Sequence, residues 1–266
     1  MEKIDRAVRD LREMDTLAAM ESPIHRLHPL AKLVTTILYI AVTVSFSRYD
    51  VTGLAVMVLY PAALFALSGV PVKTCFYKLR FVLPLVCAVG LFNPLLDRAP
   101  MVAVGGVAVS GGIISMVTLM MKGVFCLTAS FLLAATTSID AVCAALRKVR
   151  VPGLLVTLIL LTYRYVGLMM DEVAVMTDAY HLRAPGQKGI RFSAWGSFLG
   201  QLLLRSSDRA GELYGSMRLR GFRGEFSYAE VRRARTADWL FAAVCAGLFI
   251  LFRRYIVAML LGGILV

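Results

Sequence analysis

Apolar residues in this chain fall in long unbroken blocks, where a soluble domain would alternate them or space them three and four apart. Blocks able to reach across about 30 Å of hydrocarbon run roughly from Leu30 to Phe46, Val51 to Val70, Phe81 to Leu96, Gly112 to Ala135 and Trp239 to Val266. Each predicts a transmembrane helix. Between them, residues 136–237 break into shorter helical pieces. Thr137, Ser138 and Asp140 offer N-caps for an amphipathic helix ending near Val149. Val151-Pro152-Gly153 restarts the chain, since proline is tolerated in a first helical turn. A long helix then passes through Tyr163-Arg164-Tyr165 and Asp171-Glu172 to His181-Leu182-Arg183-Ala184, where Pro185 and Gly186 stop it. After a polar loop (Gln187, Lys188, Gly189), a last helix runs from about Ser193 to Arg220 and ends at Gly221 and Gly224.

Composition turns this pattern into a class. Of the 266 residues, 59% are hydrophobic and 17% charged, which excludes a soluble or disordered chain. The net charge of +12 marks the cytoplasmic side of a membrane protein rather than a nucleic-acid partner. The connections between blocks alternate as the positive-inside rule requires: sparse (Arg48, Asp50), basic (Lys73, Lys78, Arg80), sparse (Asp97, Arg98), basic (Arg147, Lys148, Arg150). Lys3, Arg6, Arg9, Arg12, Arg26 and Lys32, with no apolar stretch among them, predict a cytoplasmic N-terminus without a signal peptide.

Hydropathy alone would add another crossing at Val151 to Met170, and charge argues against it. If that run crossed, residues 171–237, with eleven basic against seven acidic side chains, would lie outside. Arg164 within the run would also cost about 2.5–3.5 kcal/mol at a lipid-facing helix centre. The expected fold is therefore all-α: a polytopic membrane protein with about five transmembrane helices and a cytoplasmic domain of long amphipathic helices. Its divisions are 1–29 (cytoplasmic N-terminal segment), 30–135 (transmembrane helices one to four), 136–237 (cytoplasmic helices) and 238–266 (C-terminal transmembrane helix). Arg253 and Arg254 then fall inside the last span and are expected to snorkel outward.

The string TYRYVGLMMDEVAVMTDAYHLRAPG (162–186), followed by RSSDRAGELYGSMRLRGF (205–222) and preceded by HRLHPLAKL (25–33), resembles the transmembrane T component of energy-coupling factor transporters, the CbiQ/EcfT family. The resemblance implies an ABC-type importer in a prokaryotic plasma membrane. In it, two cytoplasmic ATPases are joined through this subunit to a membrane-embedded substrate-binding S component. It implies no cofactor, no nucleic acid and no catalysis by this chain, with ATP hydrolysed by the partners. It further implies that triplets of the Ala-Arg-Gly type dock on the ATPases; here they are Leu182-Arg183-Ala184 and Leu219-Arg220-Gly221, each keeping the central arginine. A guanidinium suits that role because it forms bidentate bonds and keeps its charge. The plain alternative is that Arg183 and Arg220 only favour a helix C-terminus through the macrodipole, worth about 0.3–1 kcal/mol. The substrate implied is cobalt or nickel, or else vitamins served by a T component shared among several S components.

Other residues weigh less. Glu172 lies two helical turns from Arg164, too far for a direct pair, so Arg164 is expected to pair with another cytoplasmic helix and both are assigned structural roles. His25, His28 and His181 are too dispersed for a metal site, and the five cysteines form no CxxC pair. Met116, Met120, Met121, Met169 and Met170 read as adaptable packing rather than soft-metal ligands. Lys122, inside the fourth block, is expected to be buried against protein, to snorkel, or to mark contact with the S component. The chain has no GxxxxGK[ST] loop, nucleophile elbow or HExxH. A membrane-embedded enzyme would call for paired intramembrane carboxylates or histidines, and a self-sufficient channel or secondary transporter for repeated halves and broken charged helices. Neither pattern is present in the sequence.

Overall fold

A computed structural model describes residue 9 and residues 13–80, 82–93, 100–104, 107–187, 189–222, 224 and 235–262. Lys3, Arg6, Arg12, Asp97, Arg98, Lys188, Arg223, Arg232 and Arg233, which enter the charge reading, lie outside these residues, as do the block ends Phe81, Leu96 and Val266. In chain order the elements are α1 (Pro29–Ser45), α2 (Val51–Val56), α3 (Leu59–Ser68), α4 (Val72–Leu79), α5 (Leu83–Leu91), β1 (Pro100–Val104), β2 (Val107–Ser110), α6 (Gly111–Thr136), α7 (Ile139–Lys148), α8 (Gly153–Arg183), α9 (Phe192–Leu219) and α10 (Thr236–Gly262). By contact the chain divides into one unit of Leu17–Ser138 with Arg232–Val266 and another of Met1–Thr16 with Ile139–Val231.

The protein is an all-α polytopic membrane protein. Among the described residues, four stretches are long and apolar enough to cross a bilayer: Val51–Ser68, Gly111–Thr136, Gly153–Arg183 and Thr236–Arg254. A fifth forms if α4 and α5, bent by 59° at their junction, act as one span, while α1 is apolar but has 17 residues. The bend falls where Pro84 occupies the first turn of α5; a ring without an N–H starts a helix more readily than it continues one. The antiparallel hairpin β1–β2 escapes a search for long apolar blocks, although the alternating valines around Gly105-Gly106 are a hairpin signal.

In the first unit, α1 lies between α6 and α10. Tyr39 is fully buried at its centre, with ring centroids 4.5 Å from Tyr60 and 5.4 Å from Phe249, and its hydroxyl donates to the Met57 carbonyl at 3.0 Å. Phe46, Leu54, Met57, Phe125 and Ala129 complete this cluster. Several threonines in the apolar helices return their hydroxyls to the carbonyl one turn back, as Thr35 does to Ala31, Thr128 to Val124 and Thr136 to Leu132. A polar group in hydrocarbon is thereby satisfied within its own helix.

Polar ties then fix register at both ends of α1. At its start, the buried Lys32 donates to the Thr136 carbonyl at 2.6 Å, tying α1 to the end of α6. The buried Asp238 accepts the His28 N–H at 3.3 Å through one oxygen and the Arg235 N–H at 2.8 Å through the other. The second bond is the reciprocal arm of a capping box at the start of α10. At the far end of α1, Lys122 of α6 donates to the Val44 carbonyl at 3.1 Å and the Phe46 carbonyl at 2.5 Å. Arg253 of α10 donates to the Ser45 carbonyl at 2.9 Å, with its guanidinium 4.7 Å from the Phe46 ring centre. The paired positions show α10 running parallel to α1 and α6 running antiparallel to it. Lys122 and Arg253 therefore have a shared purpose: they cap the carbonyls that the end of α1 leaves without helical partners.

Candidate functional site

The second unit is built of α7, α8 and α9. On α7, the amphipathic spacing buries Cys143 and Ala145, and burial, with Asp140 nearby, pushes the Cys143 thiol up. The helix ends in a reversal in which Arg150 N–H bonds the Arg147 carbonyl and Val151 N–H the Leu146 carbonyl. This Schellman pairing puts Arg150 at φ 66° and aims the chain into Pro152, the N-cap of α8. The Tyr163 hydroxyl donates to Asp15 at 2.5 Å, which ties the N-terminal segment to α8.

α8 and α9 are long helices with little buried. Of 31 residues in α8, only Val156, Thr157 and Thr177 are buried, and among the described side chains of α9 none is. Each ends in one of the arginine triplets. On α8, Arg183 is the last helical residue and the N–H of Ala184 closes the helix on the Tyr180 carbonyl at 3.0 Å. On α9, Arg220 is the C-cap, and the N–H groups of Gly221 and Phe222 return to the Arg218 and Met217 carbonyls, both at 3.0 Å. This second Schellman motif requires a left-handed residue after the cap, and Gly221 supplies it at φ 80°. Glycine at C′ thus has a backbone reason as well as leaving the arginine uncrowded, for a Cβ there would meet nothing within 4 Å.

Both arginines are exposed, and so is the leucine before each, Leu182 at 84% and Leu219 at 91%. An exposed leucine beside an exposed arginine thus recurs at both helix tips. It is the combination that interfaces use, an apolar anchor next to a charged group with fixed geometry.

The two residues assigned structural roles separate. Arg164 is exposed on α8. It is Glu172 that reaches the neighbouring helix, pairing with Arg205 of α9. Beside this pair lies an open cleft of about 290 Å³ lined by Met169, Glu172, Arg205, Asp208, Arg209 and Glu212. A tie the sequence reading missed is Tyr180, whose hydroxyl donates to Gln187 Oε1 at 3.2 Å and accepts the Arg191 N–H at 3.3 Å. An aromatic hydroxyl one turn before a Pro-Gly stop was the available signal. Two of the three histidines are held by local contacts. His28 caps α1 through Nδ1, and the ring of His25 contacts the Ser22 hydroxyl and the Leu17 carbonyl.

A family model described as CbiQ, cobalt transport protein, matches residues 20–229. The chain is similar to the cobalt transport protein CbiQ of Rhodobacter capsulatus, 35% identical over 105 residues, covering 38% of this chain and 42% of the relative. It is similar to the nickel permease LarQ of Lactiplantibacillus plantarum, 28% identical over 117 residues, covering 44% and 43%. The longest of these matches is to the energy-coupling factor transporter transmembrane protein EcfT of Limosilactobacillus fermentum, 26% identical over 224 residues, covering 76% of this chain and 81% of the relative. The chain thus spans less than half the length of CbiQ and LarQ, and about four fifths of EcfT.

Proposed function

Because the chain belongs to the CbiQ family of cobalt transport proteins, we propose that it is the T component of an energy-coupling factor importer, passing ATP-driven motion from two cytoplasmic ATPases to a membrane-embedded S component. Hydrolysis occurs in the ATPases and substrate recognition in the S component; this chain is a non-catalytic link between them. Cobalt or nickel is the cargo that the names of CbiQ and LarQ favour, while a T component shared among vitamin-specific S components is the alternative that the longer EcfT match keeps open.

The observation that carries this reading is the repeated tip. Two long helices each end at an exposed arginine, flanked by an exposed leucine and a small residue, with the backbone closed by its own hydrogen bonds. Each tip offers a fork of donors and an apolar anchor, and an ATPase subunit for each accounts for there being two. On this reading the N-terminus and residues 136–237 are cytoplasmic, in keeping with the basic loops. α8 then lies outside the bilayer core although it is long enough to span it. Its exposed Leu154, Leu155, Leu158 and Ile159 face lipid headgroups or the S component.

Removing one charge-assisted contact costs about 1.5–3 kcal/mol, roughly ten- to a hundredfold in affinity. Arg183→Ala or Arg220→Ala should each weaken ATPase capture by that amount, and the double variant should abolish metal uptake while the membrane helices stay folded. Lysine should rescue poorly, since a point charge cannot reproduce the fork. Full ATPase assembly and full uptake by the double alanine variant would refute the assignment.

A further inference from the structure

We propose that Glu172, Arg205 and Tyr180 form a brace that holds the two arginine tips in a single geometry, so that both engage their partners at once. The inference deepens the docking reading above and rests on it. α8 and α9 meet over a short stretch, and α9 has no buried side chain among those described. Apolar burial, which orients most packed helices, is nearly missing between them, and the open charged cleft beside their contact leaves room to rotate. Polar ties must then set the angle.

Two ties do this, at different points along the helices. The Glu172–Arg205 pair joins the shafts, eleven residues before Arg183 and fifteen before Arg220, or about 16 and 22 Å from the tips at 1.5 Å per residue. Tyr180, one turn before Arg183, uses one hydroxyl to hold both the loop at Gln187 and the N-cap of α9 at Arg191. A change of about 10° at the shaft contact moves a tip some 22 Å away by about 4 Å, far outside the few tenths of an ångström within which a hydrogen bond holds its geometry. Two tips on a rigid frame bind with an effective concentration that two tips on a loose frame lose. The brace is therefore a positioning device: none of its three side chains needs to touch an ATPase.

The test uses the full-length chain in nanodiscs, with spin labels at Leu182→Cys and Leu219→Cys in a background without the native cysteines. The unmodified brace should give one narrow distance distribution. Glu172→Arg or Arg205→Glu should broaden it, Tyr180→Phe should broaden it as well, and the reversed pair Glu172→Arg with Arg205→Glu should narrow it again. In unlabelled protein, the single reversals should lower affinity for the ATPase pair about fivefold, the range open to an exposed ion pair, and the reversed pair should restore it. Distributions indifferent to the single reversals, or a reversed pair that restores neither width nor affinity, would overturn the brace. The docking reading fails separately, if the distances respond as stated but ATPase capture survives loss of both Arg183 and Arg220.

Discussion

Lys122 lies in the middle of a 26-residue apolar helix, where a lipid-facing charge costs about 2.5–3.5 kcal/mol on insertion. Its position follows from register. With Thr136 held level with Lys32, fourteen residues along α6 carry Lys122 about 21 Å toward the far face. There the carbonyls of Val44 and Phe46 accept from it, beside the Ser45 carbonyl that accepts from Arg253. A hydrogen bond to a charged group contributes about 1.5–3 kcal/mol, and a cation at a helix C-terminus about 0.3–1 kcal/mol more. The exposed geometry of the Val44 and Arg253 contacts argues for the lower end of each. Lys122→Met should therefore destabilise by about 2 kcal/mol and Arg253→Met by about 1 kcal/mol. The double variant should be worse than the sum, because either cation alone can shift toward the carbonyl its partner leaves. The assay is reversible unfolding of the purified protein in mixed micelles with rising SDS, run as a double-mutant cycle. Lys122→Arg should keep most of the stability. A Lys122→Met protein as stable as the parent would refute the capping argument and return Lys122 to the status of a lipid-snorkelling residue.

Two further outcomes follow from single contacts and from charge. A Cβ added at Gly123 would lie 2.4 Å from a methyl of Val86, and valine has little rotameric freedom with which to yield. Gly123→Ala should lower the midpoint of thermal unfolding although alanine ordinarily gains about 1 kcal/mol over glycine in a helix, and Val86→Ala should reverse the loss; a stabilised Gly123→Ala protein would show that α5 and α6 are not so closely packed. For topology, cysteines placed at Gln187 and Arg235 of a background without native cysteines should both be shielded from an impermeant reagent added outside intact cells, and labelling of either would put α8 across the membrane.

What the sequence disclosed and what it concealed divide along the range of the interactions. The long apolar blocks report a one-dimensional property, hydrocarbon thickness, and so α1, α6 and α10 were legible within a few residues. Helix ends were legible where backbone chemistry allows few alternatives: Pro185-Gly186 after α8 and Gly221 after α9 are stops for steric reasons that need no partner. The helix α4 was missed because Lys73, Lys78 and Arg80 made residues 72–80 read as a basic connection, and the β1–β2 hairpin because a short alternating stretch carries little weight beside twenty-residue blocks. At the candidate site both triplets could be read, since each lies at a helix stop within a specific string. Their supports could not. Arg205 is thirty-three residues from Glu172; in the first unit, which does not hold the triplets, the tie from Asp238 to His28 was hidden in the same way, 210 residues apart, and neither spacing has a helical period to betray it. Lys122 and Arg253 looked anomalous for the same reason: each is explained by the far end of another helix.

The two units solve the problem of holding helices together by different physics, and the difference bears on coupling. In the first, hydrocarbon supplies little driving force between helices, because lipid tails are as apolar as leucine. Register then depends on ties that are expensive to break in that setting, and α1 has them at both ends, with an aromatic cluster between. In the second, α9 has no buried side chain among those described, and the Glu172–Arg205 pair and the Tyr180 hydroxyl tie it to α8 and the loop between them. Local opening is easiest where buried apolar contacts are few. Of the two frames, the second is therefore the one whose shape a partner can change at a cost of about 1 kcal/mol, well below the free energy of a docked arginine. Under the function proposed above, the brace holds the two tips in one geometry at rest, and a docked partner shifts that geometry only by working against the Glu172–Arg205 pair.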